Sequence, residues 1–396
     1  MSLLPVDEAV ARLLSGVDPL PFEHVPLAEC LGRVLAGDIA ARLTQPPFPA
    51  SAMDGYAVSA ADAVAGARLK VVGMSRAGER FAGALRPGEA VRIFTGAPVP
   101  EGADSILIQE NAERDGGAIS VREAVEGSKH IRPAGLDFRA GEVLLQESRV
   151  LDARALALAA AMGHAALPVR RRPRVAVLAN GDELVPPGAE PGPDQIVSSN
   201  NVGLAAFVRE LGGEPIELGI APDHRDEIGA FVGRAADADI LVIAGGASVG
   251  EHDLVQAALG DKGMALDFWR IAMRPGKPLM VGRLGAMRVL GLPGNPVSTL
   301  VCSHVFLKPL VRAMAGLPTA PDLVAAKLGA AMGENDNRQD YVRARLKVVD
   351  GEHVATPFGV QDSSMLATLA AADALIVRPI RAPALATGES VPILLL

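Results

Sequence analysis

Residues 174–184 read RVAVLANGDEL, residues 239–253 read DILVIAGGASVGEHD, and residues 287–298 read MRVLGLPGNPVS. Each segment is a short run rich in valine, isoleucine and leucine that ends in glycine and polar residues. Between them, apolar residues recur at helical spacing, as in the segment 202–211. Continuous apolar strands that alternate with amphipathic helices are typical of a parallel sheet covered on both faces. The pattern therefore predicts a three-layer α/β domain with a mostly parallel sheet over residues 173–316.

The segments on either side of this domain show a different pattern. From residue 46 to residue 139, short β-like runs alternate with glycine and proline, which predicts an inserted β-rich domain. Residues 1–45 and 140–172 predict an elongated connector domain of helical and extended segments. Residues 317–396 return to strands, with Asp350-Gly351 as a hairpin turn, and we assign them to a small C-terminal β-barrel. The predicted fold is thus a multidomain α/β plus β chain.

The composition excludes several classes of protein. The 396 residues are 49% apolar and 21% charged, which excludes a mainly disordered chain. A net charge of −8 with 3% aromatic residues argues against a nucleic-acid partner. Two cysteines give no disulfide framework, and neither a signal peptide nor an apolar run of ~20 residues is apparent. We therefore expect a cytoplasmic protein without a membrane partner.

Glycines, carboxylates and a helix start follow four successive strands of the predicted α/β domain. In an open parallel sheet, ligands bind beyond the carboxyl ends of the strands, so these residues share one rim. Glycine lets backbone N–H groups approach an anion, and carboxylates suit Mg²⁺ bound to a substrate phosphate. We expect Asn295 to cap the helix that begins at Pro296. The rim residues are Asp182, Glu183, Asp223, Gly245, Gly246, Ser248, Asp253, Pro293, Asn295, Pro296 and Ser298.

The segment Arg274-Pro275-Gly276-Lys277-Pro278 adds two cations beside prolines. An arginine fork can bind two oxygens of an oxyanion at once. The rim therefore predicts a site for a phosphorylated ligand and a second anion. Taken singly, each piece has a structural interpretation: Asp182-Glu183 as a helix cap or solvated turn, Gly245-Gly246 as a turn, and Arg274 and Lys277 as surface charges.

One motif suggests a different enzyme. Gly246-Ala247-Ser248-Val249-Gly250 matches the nucleophile elbow of α/β-hydrolases, which also requires a downstream histidine. His304 lies on an apolar helix, where a buried core histidine is the better account, and His353 lies beyond the α/β domain. Neither a Walker A loop nor a GxGxxG sequence is present.

Six segments of the chain, taken in order, carry a family resemblance. They are SAMDGYAV (51–58), FTGAPVPEG (94–102), GDEL (181–184), GGASVGEHD (245–253), RPGKP (274–278) and LPGNPVS (292–298). With these segments the chain closely resembles the molybdopterin molybdenumtransferase family, which comprises bacterial MoeA and the E domain of gephyrin. The resemblance covers nearly the whole chain.

The resemblance implies a function. The family inserts molybdate into the dithiolene of adenylylated molybdopterin, releases AMP and yields molybdenum cofactor, with Mg²⁺ required. It also implies an elongated homodimer with four domains per chain. A molybdopterin adenylyltransferase and proteins of molybdoenzyme maturation are the further partners that we expect.

Roles for individual residues follow only from this resemblance. Carboxylates and a serine would serve the metal and the adenylate phosphate: Asp182, Glu183, Asp223, Ser248 and Asp253, with Asp253 foremost in cleavage. Molybdate would be held by Arg274, Lys277 and Ser298 with Arg338 and Ser363, or Ser364 in place of Ser363. Gly245, Gly246, Pro278, Pro293, Asn295 and Pro296 belong to the substrate-binding motifs. Asp54, Thr95 and Asp137, which by sequence alone are turn residues, would face the cleft from the second subunit.

Two other functions stay open at this stage. A molybdopterin adenylyltransferase-like or nucleotide pyrophosphatase activity could use the same α/β domain, although the flanking β domains argue against it. A non-catalytic scaffold is the other, since the gephyrin E domain also clusters receptors.

Overall fold

The computed structural model of the chain describes residues 3–245 and 254–396, and these form two compact units. The first unit comprises Met1–Glu23, Gly32–Ala36 and Val169–Leu396. The second comprises His24–Leu31 and Gly37–Pro168. The predicted β-rich domain thus lies wholly in the second unit, and the predicted α/β and C-terminal domains lie in the first.

The helices and strands are numbered in chain order. The helices are α1 (Val6–Leu14), α2 (Ala153–Ala161), α3 (Asn200–Glu210), α4 (Arg225–Gly233), α5 (Leu254–Asp261), α6 (Pro296–Cys302), α7 (Lys308–Met314) and α8 (Leu366–Ala370). The first strands are β1 (Phe22–Pro26), β2 (Ile39–Ala40), β3 (Ala50–Ser51), β4 (Gly55–Val58), β5 (Arg68–Ser75), β6 (Glu89–Ile93), β7 (Ser105–Ile108), β8 (Ala112–Asp115), β9 (Ala118–Val121), β10 (Ile131–Arg132), β11 (Val143–Leu145) and β12 (Ala166–Arg170). The α/β domain contributes β13 (Arg174–Asn180), β14 (Leu184–Val185), β15 (Ile196–Val197), β16 (Glu214–Ala221), β17 (Ile240–Ala244), β18 (Ala265–Trp269), β19 (Met273–Arg274), β20 (Met280–Leu284) and β21 (Met287–Leu292). The last strands are β22 (Leu323–Leu328), β23 (Gln339–Val349), β24 (Glu352–Pro357), β25 (Ala374–Arg378) and β26 (Ser390–Leu395).

The central sheet of the first unit confirms the α/β prediction. Its strand order is β16-β13-β17-β21-β20-β18, and β13 is parallel to both β16 and β17, as β17 is to β21. Strand β20 pairs antiparallel with both β21 and β18, and so runs opposite to the other five strands of this sheet. Strands β18 and β20 were not marked in the sequence, because runs such as ALDFW mix exposed and buried positions. The sheet is therefore mostly parallel, with a hairpin at one edge.

Two hydrophobic cores cover the two faces of this sheet. Successive residues of β13 alternate between them: Val175 and Val177 join one core, whereas Ala176 and Leu178 join the other. The first core also receives residues of α3, α6 and α7, and the second receives residues of α4 and α5. Because side chains alternate across a strand, a strand buried on both faces is continuously apolar. The three predicted layers are present.

Helix α1 packs with the α/β domain, although the sequence interpretation assigned residues 1–45 to the connector. Val6, Ala9 and Leu13 are buried in the same core as Phe306 and Leu310. The i, i+3, i+7 spacing of these three residues forms one apolar helix face, and its burial explains why this segment joins the first unit.

A long helical segment runs through the first core. Pro296–Met314 is continuous, with a π-helical turn at Ser303–Leu307 between α6 and α7. By length and composition it could span a membrane, but 72% of its most apolar window is buried inside the protein. Burial of this extent is the pattern of a core helix.

The C-terminal strands form a closed barrel, as predicted. The order β23-β24-β22-β26-β25 is closed by the pairing of β23 with β25. Asp350 and Gly351 both have positive φ, at 52° and 82°, as a two-residue hairpin turn requires. Strand β19 of the α/β domain pairs in parallel with β23, so that Met273 faces Gln339 and Arg274 faces Asp340. This pairing joins the RPGKP segment to the barrel.

The second unit contains a six-stranded sheet of order β7-β4-β6-β5-β9-β8. Its two faces are covered by separate apolar clusters, one with Tyr56 and Val58 and the other with Ala57 and Ile106. Helix α2 begins after Asp152, whose side chain accepts a hydrogen bond from the backbone N–H of Ala155 at 2.8 Å. The short pairs β3–β10 and β2–β11 complete this unit.

Candidate active site

The rim of the central sheet brings the ends of β13 and β16 together. Asp182 Oδ1 accepts a hydrogen bond from the backbone N–H of Asp223 at 2.9 Å. Asn180 Nδ2 donates to the carbonyls of Ala221 and Pro222, both at 3.2 Å. The backbone of Asp223, rather than its carboxylate, therefore contacts Asp182. The carboxylates of Asp182 and Glu183 lie at the rim on exposed residues.

The end of the neighbouring strand β17 lies close to the end of β13 at Gly245. Gly245 has φ +101°, and a Cβ added there would overlap the carbonyl oxygen of Asn180. Its N–H donates to the carbonyl of Leu292 at 3.2 Å, and a Cβ added at Gly294 would lie 3.7 Å from the Cα of Gly245. Only glycine permits this approach, because a side chain would separate the strand ends.

Part of the predicted rim lies outside the described residues. Gly246, Ser248 and Asp253 fall there, as does the nucleophile-elbow motif. Within residues 3–245 and 254–396, no group of three or more His, Cys, Asp or Glu side chains is close enough to hold a metal ion. One of the four predicted metal ligands, Asp253, lies outside the described residues.

Asn295 precedes α6 as predicted, but the structure gives its side chain a different contact from the one that a capping residue usually makes. Asn295 occupies the N-cap position, but its side chain makes no capping hydrogen bond. Instead Asn295 Nδ2 donates to Ser363 Oγ at 2.7 Å, while the N–H of Val297 donates to the carbonyl of Ser363 at 3.2 Å. Ser363, from the loop between β24 and α8, thus contacts the first turn of α6. Pro296 and Ser298 lie in this turn, Pro293 precedes it directly after β21, and Ser298 is buried.

The RPGKP segment lies between the sheet and the barrel, directly after β19. Gly276 has φ +110°, and a Cβ added there would overlap Cys302 Sγ of α6. The thiol of Cys302 is fully buried, which raises its pKa to about 12. Lys277 and Pro278 follow, and the side chain of Lys277 is exposed without an ion pair to any described carboxylate.

Two of the predicted oxyanion-binding arginines are already paired with carboxylates. Arg274 binds Asp340 with both Nε, at 2.7 Å, and NH2, and its NH1 lies 3.2 Å from Asp336 Oδ2. The contact with Asp340 raises the pKa of Arg274. Arg338 donates to Asp336 Oδ2 at 3.1 Å. Both positive charges are therefore largely compensated within the protein.

A third arginine, Arg343 on β23, was not among the sequence candidates. Its side chain is 1% exposed, and it makes no ion pair with a described carboxylate. Burial lowers its pKa below the ordinary value, and the charge of the Asp362 carboxylate opposes this with a smaller effect. Arg343 and Arg274 line one cavity of about 380 Å³, together with Asp340, Phe358 and Gln361. Along β23, Arg343 alternates with the apolar residues Val342 and Ala344. This alternation in the sequence does not indicate that both faces of the strand are covered at Arg343, as they are in the structure.

The loop between β24 and α8 distinguishes the two candidate serines. Ser363 contacts the start of α6 through Asn295 and Val297, as described above. Ser364 turns away, because its N–H and Oγ both bind Asp362 Oδ1, at 2.9 and 2.6 Å. Ser363 is therefore the serine that lies beside the LPGNPVS segment.

In the second unit, the SAMDGYAV and FTGAPVPEG segments meet. Asp54 Oδ1 accepts hydrogen bonds from the backbone N–H and from Oγ1 of Thr95, both at 2.8 Å. These bonds, the backbone one first, hold the pKa of the Asp54 carboxyl below its ordinary value. Arg92 stacks on the rings of Tyr56 and Phe94, each centroid at 5.0 Å. Asp137 lies in a separate exposed turn after β10.

His304 behaves as a packing residue. Its ring lies 4.5 Å from that of Phe207, and its buried Nδ1 has no hydrogen-bond partner among the described residues. Burial, with a smaller effect of Lys308, lowers its pKa to about 4. A neutral histidine on an apolar helix matches the sequence interpretation.

Comparison with known protein families covers nearly all of the chain. Residues 4–163 match the MoeA N-terminal region (domain I and II), residues 176–313 match a probable molybdopterin binding domain, and residues 325–396 match the MoeA C-terminal region (domain IV).

Individual proteins agree with these matches. The chain is 37% identical to molybdopterin molybdenumtransferase 2 of Mycobacterium tuberculosis over 93% of both proteins. It is 36% identical to the molybdopterin molybdenumtransferase of Nostoc over 94% of this chain and 88% of the relative. Among solved structures, the molybdopterin biosynthesis MoeA protein of Pyrococcus horikoshii superimposes with a TM-score of 0.87 at 31% identity, over 100% of this chain and 99% of that one. From these three family matches and from relatives at 36–37% identity over most of their length, the chain belongs to the MoeA family of molybdenum cofactor biosynthesis proteins.

Proposed function

We propose that this protein is a molybdopterin molybdenumtransferase that inserts molybdate into adenylylated molybdopterin, with release of AMP, in a Mg²⁺-dependent reaction. Two relatives named molybdopterin molybdenumtransferases, at 36–37% identity over most of the chain, support the transferase activity. The observation that carries the proposal to an oxyanion substrate is the buried guanidinium of Arg343, which makes no close ion pair with a described carboxylate, although the Asp362 carboxylate acts on it at longer range.

A buried cation without a counterion is costly unless a ligand supplies the negative charge. Arg274 and Arg338 have carboxylate partners, whereas Arg343 and Lys277 have none among the described residues. Arg343 faces a cavity of about 380 Å³, which is ample for a tetrahedral dianion. Although the net charge of the chain is −8, Arg343 and Lys277 would make the site locally positive, which allows an anion to bind there.

The donor chemistry at the rim fits Mg²⁺. In phosphate-binding sites, Mg²⁺ is usually held by one or two protein carboxylates, with substrate phosphate oxygens and water completing the shell. Asp182 and Glu183 offer such oxygens on exposed residues, and Asp223 and Asp253 are the further candidates. When bound there, Mg²⁺ would neutralise charge on the adenylate phosphate. The residues of the chain would hold the two substrates at neighbouring positions.

In this proposal, Arg343 and Lys277 bind molybdate, and Ser363 and Ser298 accompany them at the start of α6. Arg274 lines the cavity wall but acts mainly through its pairing with Asp340. The Asp54 carboxylate, whose pKa is lowered by its hydrogen bonds with Thr95, would orient a substrate in its ionised form. We further propose a cytoplasmic homodimer in which Asp54, Thr95 and Asp137 act from the second subunit. Light scattering of the purified protein tests the dimer separately from the activity.

The activity is tested by incubating the purified protein with adenylylated molybdopterin, molybdate and Mg²⁺. We expect AMP release and reconstitution of an apo-molybdoenzyme, both of which depend on molybdate and on Mg²⁺. Omission of each component in turn is the control. AMP release that does not require molybdate would favour a pyrophosphatase instead, and absence of both signals with authentic substrate would exclude the transferase.

A further inference from the structure

Gln361 makes four hydrogen bonds through a single side-chain amide. Its Oε1 accepts from the backbone N–H of Arg343 at 3.0 Å and from Arg343 Nε at 3.2 Å. Its Nε2 donates to the carbonyl of Arg343 at 3.0 Å and to that of Phe358 at 2.9 Å. The amide thus binds the backbone and the side chain of the buried arginine at once.

These bonds determine which part of the Arg343 guanidinium remains available. Nε is bound to Gln361, and NH1 donates to the carbonyl of Met365 at 3.2 Å. NH2 has no hydrogen bond to a described residue, and Arg343 lines the cavity. Two of the three nitrogens are therefore used to fix the plane of the group, and the third is left for a ligand.

The same loop is anchored at its other end to α6. The carbonyl of Ser363 accepts from the N–H of Val297 at 3.2 Å, and Ser363 Oγ accepts from Asn295 at 2.7 Å. Gln361 lies two residues before Ser363. Because both anchors belong to one short loop, the position of Gln361 is linked to those of Arg343 and Ser363 together.

We propose that Gln361 is a positioning residue that orients Arg343 and the Ser363 loop for binding of a tetrahedral oxyanion, an inference that rests on the proposed function. A neutral amide is suited to this role because it supplies both an acceptor for Arg343 and donors for two carbonyls. A carboxylate at this position would instead compensate the arginine charge and compete with the anion. An apolar side chain would remove the hydrogen bond to Nε and leave the guanidinium held only through NH1 by the carbonyl of Met365.

The test compares Gln361→Met and Gln361→Glu with the full-length protein and measures the molybdate dependence of AMP release. We expect Gln361→Met to raise the KM for molybdate about 10- to 100-fold, the loss that follows from misplacing a binding group. Gln361→Glu should raise it further, although glutamate is the closer match in shape. In both variants kcat and the KM for adenylylated molybdopterin should change less than about threefold, since neither depends on the orientation of Arg343.

Gln339→Met is the matched control. Gln339 also lies in the barrel, and its amide donates to Tyr341 Oη at 2.7 Å, but it does not contact Arg343. We expect its molybdate KM to match that of the unmodified protein. If Gln361→Met does not fold, Gln361→Glu still retains the acceptor and tests the same inference.

A double-substitution cycle with Arg343→Met isolates the mechanism. If Gln361 acts through Arg343, adding Gln361→Met to Arg343→Met should cause no further rise in the molybdate KM. Fully additive effects, or unchanged molybdate KM values in both Gln361 variants, would overturn the inference while leaving the transferase intact. If the unmodified protein shows no molybdate-dependent reaction, it is the proposed function that fails.

Discussion

Replacing Arg343 by methionine removes the guanidinium while retaining an unbranched apolar chain. In the proposed site this deletes charge-assisted hydrogen bonds to the oxyanion, which are worth about 1.5–3 kcal/mol. Since each 1.4 kcal/mol is a factor of ten, the molybdate KM should rise about 10- to 150-fold. The KM for adenylylated molybdopterin should change little.

The effect on stability should be much smaller, because two contributions oppose each other. The substitution loses the bonds of Arg343 to Gln361 Oε1 and to the carbonyl of Met365, both at 3.2 Å. It also removes a buried charge that has no carboxylate partner among the described residues, and replacing such charges by apolar groups is often neutral or stabilising. We expect the free energy of unfolding to change by about 1 kcal/mol or less.

Molybdate titration of AMP release, with urea unfolding of the same samples, measures both quantities. Arg345→Met is the control, because Arg345 lies on the same strand but is exposed, with its guanidinium 5.5 Å from the Phe358 ring. Its molybdate KM should change less than about twofold, as expected for a surface charge. A folded Arg343→Met protein with a molybdate KM within about threefold of the unmodified one would refute the reasoning.

Three further substitutions test other parts of the site and core. Thr95→Val deletes a hydrogen bond that lowers the pKa of Asp54, so the acid limb of the kcat/KM profile should move to higher pH; an unmoved limb would exclude a role for ionised Asp54. The pKa of His304 is about 4 in the folded protein, whereas its ordinary value is 6.5. Between these two pH values the unfolded chain binds one more proton than the folded protein, so the free energy of unfolding decreases as the pH falls. His304→Leu should therefore remove about 2 kcal/mol of the stability lost between pH 7.5 and pH 5, measured by urea unfolding, and an identical pH dependence would contradict the burial argument. Gly276→Ala should raise the molybdate KM, because the added methyl group displaces the RPGKP segment. Adding Cys302→Ala should restore the KM only in part, because it removes the overlap with sulfur but leaves residue 276 at φ +110°. Full restoration would show that the backbone conformation at residue 276 is unimportant.

Much of the fold could be predicted from local pattern. Strands such as β13 and β17 are continuously apolar because both faces are buried, and the Asp350-Gly351 hairpin has the residues that its positive φ values require. The capping of α2 by Asp152 was likewise predictable. The assignment of α1 was not, because an amphipathic helix shows that it has a buried face but does not show which domain covers that face.

The candidate site was predictable to the level of its motifs but not of its side-chain contacts. Asn295 occupies the N-cap position, as the sequence suggests, yet its amide binds Ser363, which is 68 residues away. A capping preference is a local property, whereas the competing partner arrives only when the barrel packs against α6. The same packing turns Ser363, and not Ser364, towards this helix.

The layered α/β domain, the barrel, the rim of glycines and carboxylates, and the family could all be predicted from the order of residues. Which arginine has an available charge became clear only from the packed fold. Arg274 and Arg338, both in positions that suggest anion binding, are compensated by Asp340 and Asp336, whereas Arg343 is buried without a described carboxylate partner. Charge compensation depends on distances between atoms, and Arg274 and Asp340 are 66 residues apart along the chain. Local sequence contains the charges, but the fold sets the distances that pair them.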